Sequence, residues 1–197
     1  MAKEFYGFFD STDGDVRQYD AAGLSQLLAA AVQSGVSSHF GGGLEVTADG
    51  GSMQTAVSPG GAVIEGYVYV LSDDGGAGKT FTHGAAATAD RIDRIVARLD
   101  RNADKRCITL AVLEGVPAAE PAPPALTRTP QVWEISLAQV RVPASAVFIR
   151  PENVTDERAD ESVCGFAVSA WNSRAALDGR YVADEPISDE LVETIIA

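Results

Sequence analysis

The glycine-rich stretch at residues 73–80 is where the sequence comes nearest to a motif that performs chemistry. Gly78, Lys79 and Thr80 match the end of the phosphate-binding pattern G-x-x-x-x-G-K-[ST], whose backbone N–H groups surround phosphates. Asp73 stands where that pattern requires its first glycine, and Asp74 adds a second carboxylate that would repel an anion. The pattern also needs a following helix, and no amphipathic helix follows Thr80. The stretch therefore predicts a flexible hairpin loop and no nucleotide site.

Metal-binding patterns are incomplete as well. Asp100, Asn102 and Asp104 match the first half of a calcium-binding loop. Lys105 and Ala111 occupy the positions where that loop requires glycine and glutamate, and a lysine among the ligands opposes a divalent cation. We predict a polar hairpin tip at these residues.

The histidines and cysteines form no metal-ligand pattern. His39 and His83, the two histidines of the chain, are far apart, and neither C-x-x-C nor H-x-x-x-H spacing occurs. Cys107 and Cys164 could pair, but isolated cysteines are more often small buried apolar residues. We expect no metal and no cofactor.

Composition narrows the class of protein. The 197 residues suit one large domain or one domain with an appendage. With 28 acidic and 15 basic residues the net charge is −13, which argues against nucleic acid as a partner. No apolar run is long enough for membrane insertion, and the start MAKEFYGFFD lacks the features of a secretory signal. These features predict synthesis in the cytoplasm without a signal peptide.

A short helix is predicted near the amino terminus, over about residues 20–34. Asp20 is a suitable N-cap, and Gly35 is a suitable stop. Five apolar residues lie on one face at helical spacing: Leu24, Leu27, Leu28, Ala31 and Val32.

Strand patterns dominate the middle of the chain. Residues 61–71, GAVIEGYVYVL, alternate as one strand that is largely apolar on both faces. Residues 92–99 fit a helix or a strand, and CITLAVLEG after them is typical of a strand. In residues 132–139, alternation places Glu134, Ser136 and Ala138 on one face and Ile135 and Leu137 on the other.

Two further segments offer candidate contacts with partners. The proline-rich residues 116–130 cannot form regular structure and predict a surface connection or an arm on a partner, with Pro121, Pro123 and Pro124 as candidate contacts. Ser188 can cap a terminal helix over about residues 188–196. Its apolar face would dock on the chain itself or on a partner, and consists of Leu191, Val192, Ile195 and Ile196.

These patterns together predict a mainly β protein with a small α part, built as an antiparallel β-sandwich-like module. We divide the chain into an amino-terminal arm and helix at 1–40, a β-rich module at 41–165 and a carboxyl-terminal segment at 166–197. The arm adds four aromatic candidates for a partner interface: Phe5, Tyr6, Phe8 and Phe9.

Four blocks of the sequence resemble a known family. They are FFDSTDGDVRQYDA, VSPGGAVIEGYVY, the pair DRIDRIVARLD and ITLAVLEGVPAAEPAPPALTRT, and VWEISLAQVRVPA with ENVTDERADESVCG. The second block resembles the family pattern P-G-x-A-x-I-x-G-x-x-Y through Pro59, Gly60, Ala62, Ile64, Gly66 and Tyr69. The family is that of tailed-phage baseplate or tail-tip structural proteins, of the upper-baseplate or receptor-binding-adaptor type, and the resemblance covers roughly residues 5–166.

The resemblance implies a β-rich module of the virion tail that assembles as a homo-oligomer, with a trimer favoured, beside other tail and baseplate proteins. It implies a strand at residues 92–99 and no catalytic residues. Many relatives continue into a fibre stalk, and the last thirty or so residues here match the pattern poorly. We therefore expect an adaptor that links the tail hub to receptor-binding parts.

Two other functions are consistent with the composition. A carbohydrate-binding module for a host-surface glycan would use exposed aromatic rings, with Trp133 and Trp171 as candidate sugar platforms beside Tyr67 or Tyr69. A glycan-cleaving enzyme would use a carboxylate pair, but 28 acidic residues make some suitable pair inevitable. We expect aromatic residues in strands to lie in the core more often than at a sugar site.

Overall fold

A computed structural model describes residues 10–16, 18–72, 78–86 and 88–169. In this part of the chain one α-helix precedes ten β-strands, and a 3-10 turn at Pro151–Asn153 precedes the last strand. The helix is α1, Ala21–Ala31, and the strands are β1 Gly35–Gly41, β2 Val46–Thr47, β3 Gln54–Val57, β4 Gly60–Ile64, β5 Tyr67–Leu71, β6 Lys79–Thr82, β7 Arg91–Asp100, β8 Cys107–Leu113, β9 Val132–Val142 and β10 Val154–Asp156.

The strands form three antiparallel sheets in the described residues. Their orders are β1-β4-β5, β2-β3-β6 and β10-β9-β7-β8. This mainly β, sandwich-like architecture with one small helix confirms the predicted fold class. The ambiguous run at residues 92–99 lies within β7, as a strand. The predicted boundary between residues 40 and 41 falls inside β1, which pairs with β4.

The two faces of β7 differ in chemistry. Ile95, Ala97 and Leu99 alternate onto the face that belongs to the buried apolar core. Arg94 and Arg98 lie on the opposite face, where their guanidinium groups pair with carboxylates. The large sheet is thus covered on both sides, by the apolar core on one and by a polar layer on the other.

A bulge in β9 interrupts the predicted alternation. Ser136 pairs with Val96 and Ala138 pairs with Ile95, so Leu137 has no partner on β7. The extra residue reverses the faces beyond it, and Ala138 joins the core that the sequence pattern assigned to its neighbours. The predicted placement of Ala138 beside Glu134 and Ser136 is therefore wrong.

The stretch at residues 61–71 is two strands, where the sequence predicted one. Glu65 and Gly66 have φ values of 50° and 76° and form a two-residue turn between the paired residues Ile64 and Tyr67. This left-handed geometry matches the twist of a tight hairpin, and glycine adopts it without strain. The glutamate before the glycine concealed the turn, because Asn-Gly and Asp-Gly are the usual signals.

Helix α1 begins as predicted and ends early. The Asp20 carboxylate accepts a hydrogen bond from the Gly23 N–H at 2.6 Å, which confirms the N-cap. Val32 is already extended, so the helix ends at Ala31. Gly35 is not a helix stop: it begins β1, where a Cβ atom would lie 2.6 Å from the Gly165 carbonyl oxygen. In the described residues no helix is long and apolar enough to cross a bilayer.

We expect Gly66→Ala to lower the free energy of unfolding by at least about 2 kcal/mol, because the left-handed backbone and a steric clash act together. A Cβ atom on Gly66 would lie 1.8 Å from the Ser25 carbonyl oxygen of α1. Urea unfolding followed by circular dichroism measures the loss. Gly14→Ala is the matched control, since Gly14 has φ 82° but nothing within 4 Å. Equal losses in the two variants would contradict the close packing of α1 on the turn.

The proline-rich segment lies against the polar face of the large sheet. The Arg94 Nη1 donates to the Pro124 carbonyl oxygen at 2.7 Å, and the Thr127 N–H donates to Glu134 Oε2 at 2.6 Å. Pro121, Pro123 and Pro124 are half-buried. The segment contains no helix or regular strand and connects β8 to β9, which fits the predicted connection.

Candidate interaction surface

An exposed apolar patch covers the outer face of the β1-β4-β5 sheet. Val63 pairs with Val68 and Gly61 pairs with Val70, so these side chains share one face. Val68 is 62 % exposed, Val70 52 % and Phe40 47 %, and the Phe40 ring lies over Gly61. We call Phe40, Val63, Val68 and Val70 the valine face.

The hairpin explains why this face is apolar and uncovered. Tyr69 lies on the other side of β5, where it packs on the core, and burial raises its pKa. With one face of β5 in the core, the alternating valines must point outward. The valine face is suited to contact with another apolar surface, because clustered exposed apolar side chains are typical of interaction sites.

The edge of β5 is also unpaired in the described residues. β4 occupies one side of β5, and β5 ends the sheet. In a two-residue hairpin the residues flanking the turn form a hydrogen-bonded pair, so the N–H and C=O groups of Val68 and Val70 point away from β4. Neither proline nor charge protects this edge, although natural edge strands usually carry such protection.

The sequence-predicted interface residues are only partly placed. The aromatic arm (Phe5, Tyr6, Phe8, Phe9), the terminal helix and Trp171 lie outside the described residues. Trp133 is half-buried against the core, and the Arg128 guanidinium lies 5.6 Å from its ring centroid. The Trp133 ring is therefore shared between the core and an arginine. Sequence reasoning missed the valine face, although the alternation in YVYVL carried its signal.

The two motifs that resembled ligand sites have structural roles here. Lys79 begins β6 and donates from Nζ to the Leu110 carbonyl oxygen at 3.1 Å. The loop before it joins β5 to a different sheet, so the prediction of a hairpin loop is wrong. Asp100 Oδ1 accepts from the backbone and side chain of Asn102 at the β7–β8 turn, which confirms the polar hairpin tip.

The cysteines do not pair, and their environments differ. Cys107 is exposed at the start of β8, whereas Cys164 is buried. Burial, with the nearby Asp156 carboxylate, raises the pKa of the Cys164 thiol to about 12. At neutral pH the Cys164 thiol is therefore protonated and unreactive.

A buried polar chain joins two sheets. Thr55 Oγ1 lies 3.0 Å from His83 Nε2, and His83 Nδ1 lies 2.7 Å from Asp93 Oδ2. Arg91 Nε donates to Asp93 Oδ1 at 2.8 Å, and the Gly115 N–H donates to the same oxygen at 3.0 Å. Asp93 thus has partners on several elements, and His83 connects it to β3.

This hydroxyl–imidazole–carboxylate order matches the groups of a nucleophilic relay. Thr55, His83 and Asp93 are, however, 1–2 % exposed. A substrate could reach the Thr55 hydroxyl only if the sheets separated, so the arrangement acts as a structural connection. In the described residues no group of His, Cys, Asp and Glu is arranged to hold a metal ion.

Acid should weaken the protein partly through Asp93. Burial opposes the charged carboxylate, but hydrogen bonds from His83, Arg91 and Gly115 outweigh it and lower the Asp93 pKa. Because its folded-state pKa is lowered, the Asp93 carboxylate stabilises the fold above the unfolded-state pKa of about 3.9. This stabilisation is lost as the pH falls through the folded-state pKa. We expect the free energy of unfolding to decrease as the pH drops below about 4, and to decrease less steeply in the Asp93→Asn variant. Identical acid slopes in urea titrations would contradict this assignment.

Comparisons of the chain with known protein families, with curated proteins and with solved structures found no match.

Proposed function

We propose that the chain is a structural, non-enzymatic component of a tailed-phage baseplate or tail tip. In this role it is an adaptor that links the tail hub to receptor-binding parts and assembles as a homo-oligomer, with a trimer favoured. The support from the sequence is the resemblance of four ordered blocks over roughly residues 5–166. The support from the fold is the valine face, which is the observation that carries the proposal.

The valine face supports assembly for an energetic reason. Complete burial of a valine or phenylalanine side chain contributes about 1.5–3 kcal/mol relative to exposure. Val68, Val70 and Phe40 are 62 %, 52 % and 47 % exposed. Burying them against a partner therefore adds much of this free energy to association. Several such side chains on one rigid sheet can act as the apolar centre of an interface.

The charge distribution is consistent with the same role. At net charge −13, copies of the chain repel one another over most of their surface. The valine face itself carries no charged side chain, so contact there avoids direct pairing of carboxylates. Assembly through this face therefore combines apolar burial with the least electrostatic cost.

Electron microscopy of phage particles tests the tail assignment. Antibodies raised against the recombinant chain, carrying gold, should label the tail tip of particles from the phage that encodes it. A particle preparation whose tails stay unlabelled, while the chain is abundant in the unassembled fraction of the same lysate, would contradict the proposal. Antibodies preincubated with free chain serve as the control, because they should label nothing.

A further inference from the structure

A groove lies between the first turn of α1, the start of β5 and the tip of the β7–β8 hairpin. Its volume is about 550 Å³, within the range of ligand-binding clefts. Its apolar lining includes Ala22, Tyr67, Val68, Leu99 and Ile108. The groove is separate from the buried hydrogen bonds among Thr55, His83 and Asp93, and it borders the valine face at Val68.

Two strand edges contribute backbone groups to the groove. The N–H and C=O of Val68 point away from β4, as the hairpin pairing requires. On β8 the Leu110 carbonyl oxygen accepts from Lys79 and therefore points away from β7, which orients Ile108, two residues earlier, in the same direction. Such edges bind an extended segment through its main chain, with side chains in adjacent pockets.

The rim of the groove carries two carboxylates, Asp20 and Asp100, and two guanidinium groups, Arg101 and Arg106. The Asp20 carboxylate accepts a hydrogen bond from the Gly23 N–H, and the Asp100 carboxylate accepts one from the Asn102 N–H. Arg101 lies over the Tyr67 ring at 5.3 Å and donates to a backbone carbonyl oxygen. In the described residues the exposed Arg106 side chain has no hydrogen-bond or ion-pair partner, so its guanidinium can bind a carboxylate of an occupant.

We propose that the groove takes the chain's own residues 1–9 as an extended segment. Phe5, Tyr6, Phe8 and Phe9 supply apolar side chains for the lining, and Glu4 supplies a carboxylate for Arg106. The occupant is thus an aromatic segment whose one carboxylate, that of Glu4, can pair with Arg106.

The described chain leads back toward the groove. Thr12 and Asp15 exchange backbone hydrogen bonds of 3.0 Å in both directions, and Gly14 between them has φ 82°. This turn reverses the chain direction in the stretch that leads to Asp20, which lines the groove. Residues 1–9 have a reach of about 30 Å from Asp10 when extended, so the segment can fold onto its own groove.

Cys107 lines the groove and provides the test. Its reaction with 5,5′-dithiobis(2-nitrobenzoate) is measured in the full chain and in a variant lacking residues 1–9. We expect the reaction to be at least tenfold faster in the shortened chain, and a synthetic peptide of residues 1–10 to restore the slow rate. A full-length variant with Phe5, Phe8 and Phe9 replaced by serine should also react fast, whereas Lys3→Ser should not.

Cys164 reports whether each variant is folded, because this buried thiol should stay unreactive throughout. Equal Cys107 rates in the full and shortened chains, with Cys164 still protected, would overturn the proposal. A slow rate in the full chain that becomes fast on dilution would place a neighbouring copy's segment in the groove, and would equally contradict docking within one chain. Neither result depends on where the chain is found in a phage particle.

Discussion

Replacing Asp93 by alanine is expected to lower the free energy of unfolding by about 3–5 kcal/mol, the usual cost of breaking a buried ion pair from one side. Arg91 is 3 % exposed and would keep its charge without the Asp93 carboxylate. His83 would lose its 2.7 Å partner, and the Gly115 N–H its acceptor. The loss falls where the β3 sheet joins the large sheet, so it should affect global unfolding.

Guanidinium chloride unfolding, followed by tryptophan fluorescence, measures this change. Asp104→Ala is the control, because Asp104 lies at the β7–β8 turn with its side chain 75 % exposed and forms one surface pair with Lys105 at 3.8 Å. Its removal should change stability by less than about 1 kcal/mol. If Asp93→Ala lowered the free energy of unfolding no more than Asp104→Ala, the buried polar side chains would not stabilise the contact between the two sheets.

Glutamate at both Val68 and Val70 is expected to weaken self-association at least ~100-fold. Two carboxylates placed without partners in an apolar contact cost several kcal/mol, and about 1.4 kcal/mol corresponds to tenfold in a dissociation constant. Folding should change little, because Val68 and Val70 are 62 % and 52 % exposed in the single chain. Sedimentation equilibrium over a concentration series gives the dissociation constants.

The matched control places the same two charges elsewhere on the surface. Val116 and Val147 are 76 % and 74 % exposed and lie outside the valine face, so their replacement by glutamate adds equal charge. This control should associate nearly as well as the unmodified chain. Equal weakening by the two pairs of substitutions would show that net charge, rather than the valine face, controls assembly.

Local signals in the sequence were sufficient where one interaction determines the structure. Asp20 predicted the start of α1, because an N-cap is a contact between neighbours in sequence. The polar tip between β7 and β8 is likewise set by Asp100 and Asn102. The strand at residues 92–99 required the family resemblance, since its apolar spacing suits a helix equally well.

Features that depend on distant contacts were not visible in the sequence. The bulge at Leu137 reverses the faces of β9 although the amino-acid pattern continues unchanged. The hairpin turn at Gly66 depends on Glu65 in a left-handed conformation, which its residue type disfavours. His83 and Asp93 meet Thr55 only because β3 and β7 come together in the fold. The valine face could be recognised only when the turn at Glu65 and Gly66 was known to divide the one predicted strand into two.

The mass of the unmodified chain in solution, measured by light scattering over a wide range of concentration, tests assembly most directly. We expect a multiple of the 20.6 kDa protomer, with three copies favoured, that dissociates to the protomer on dilution. A mass of 20.6 kDa at every concentration up to the solubility limit would contradict the claim that this chain works by binding to copies of itself.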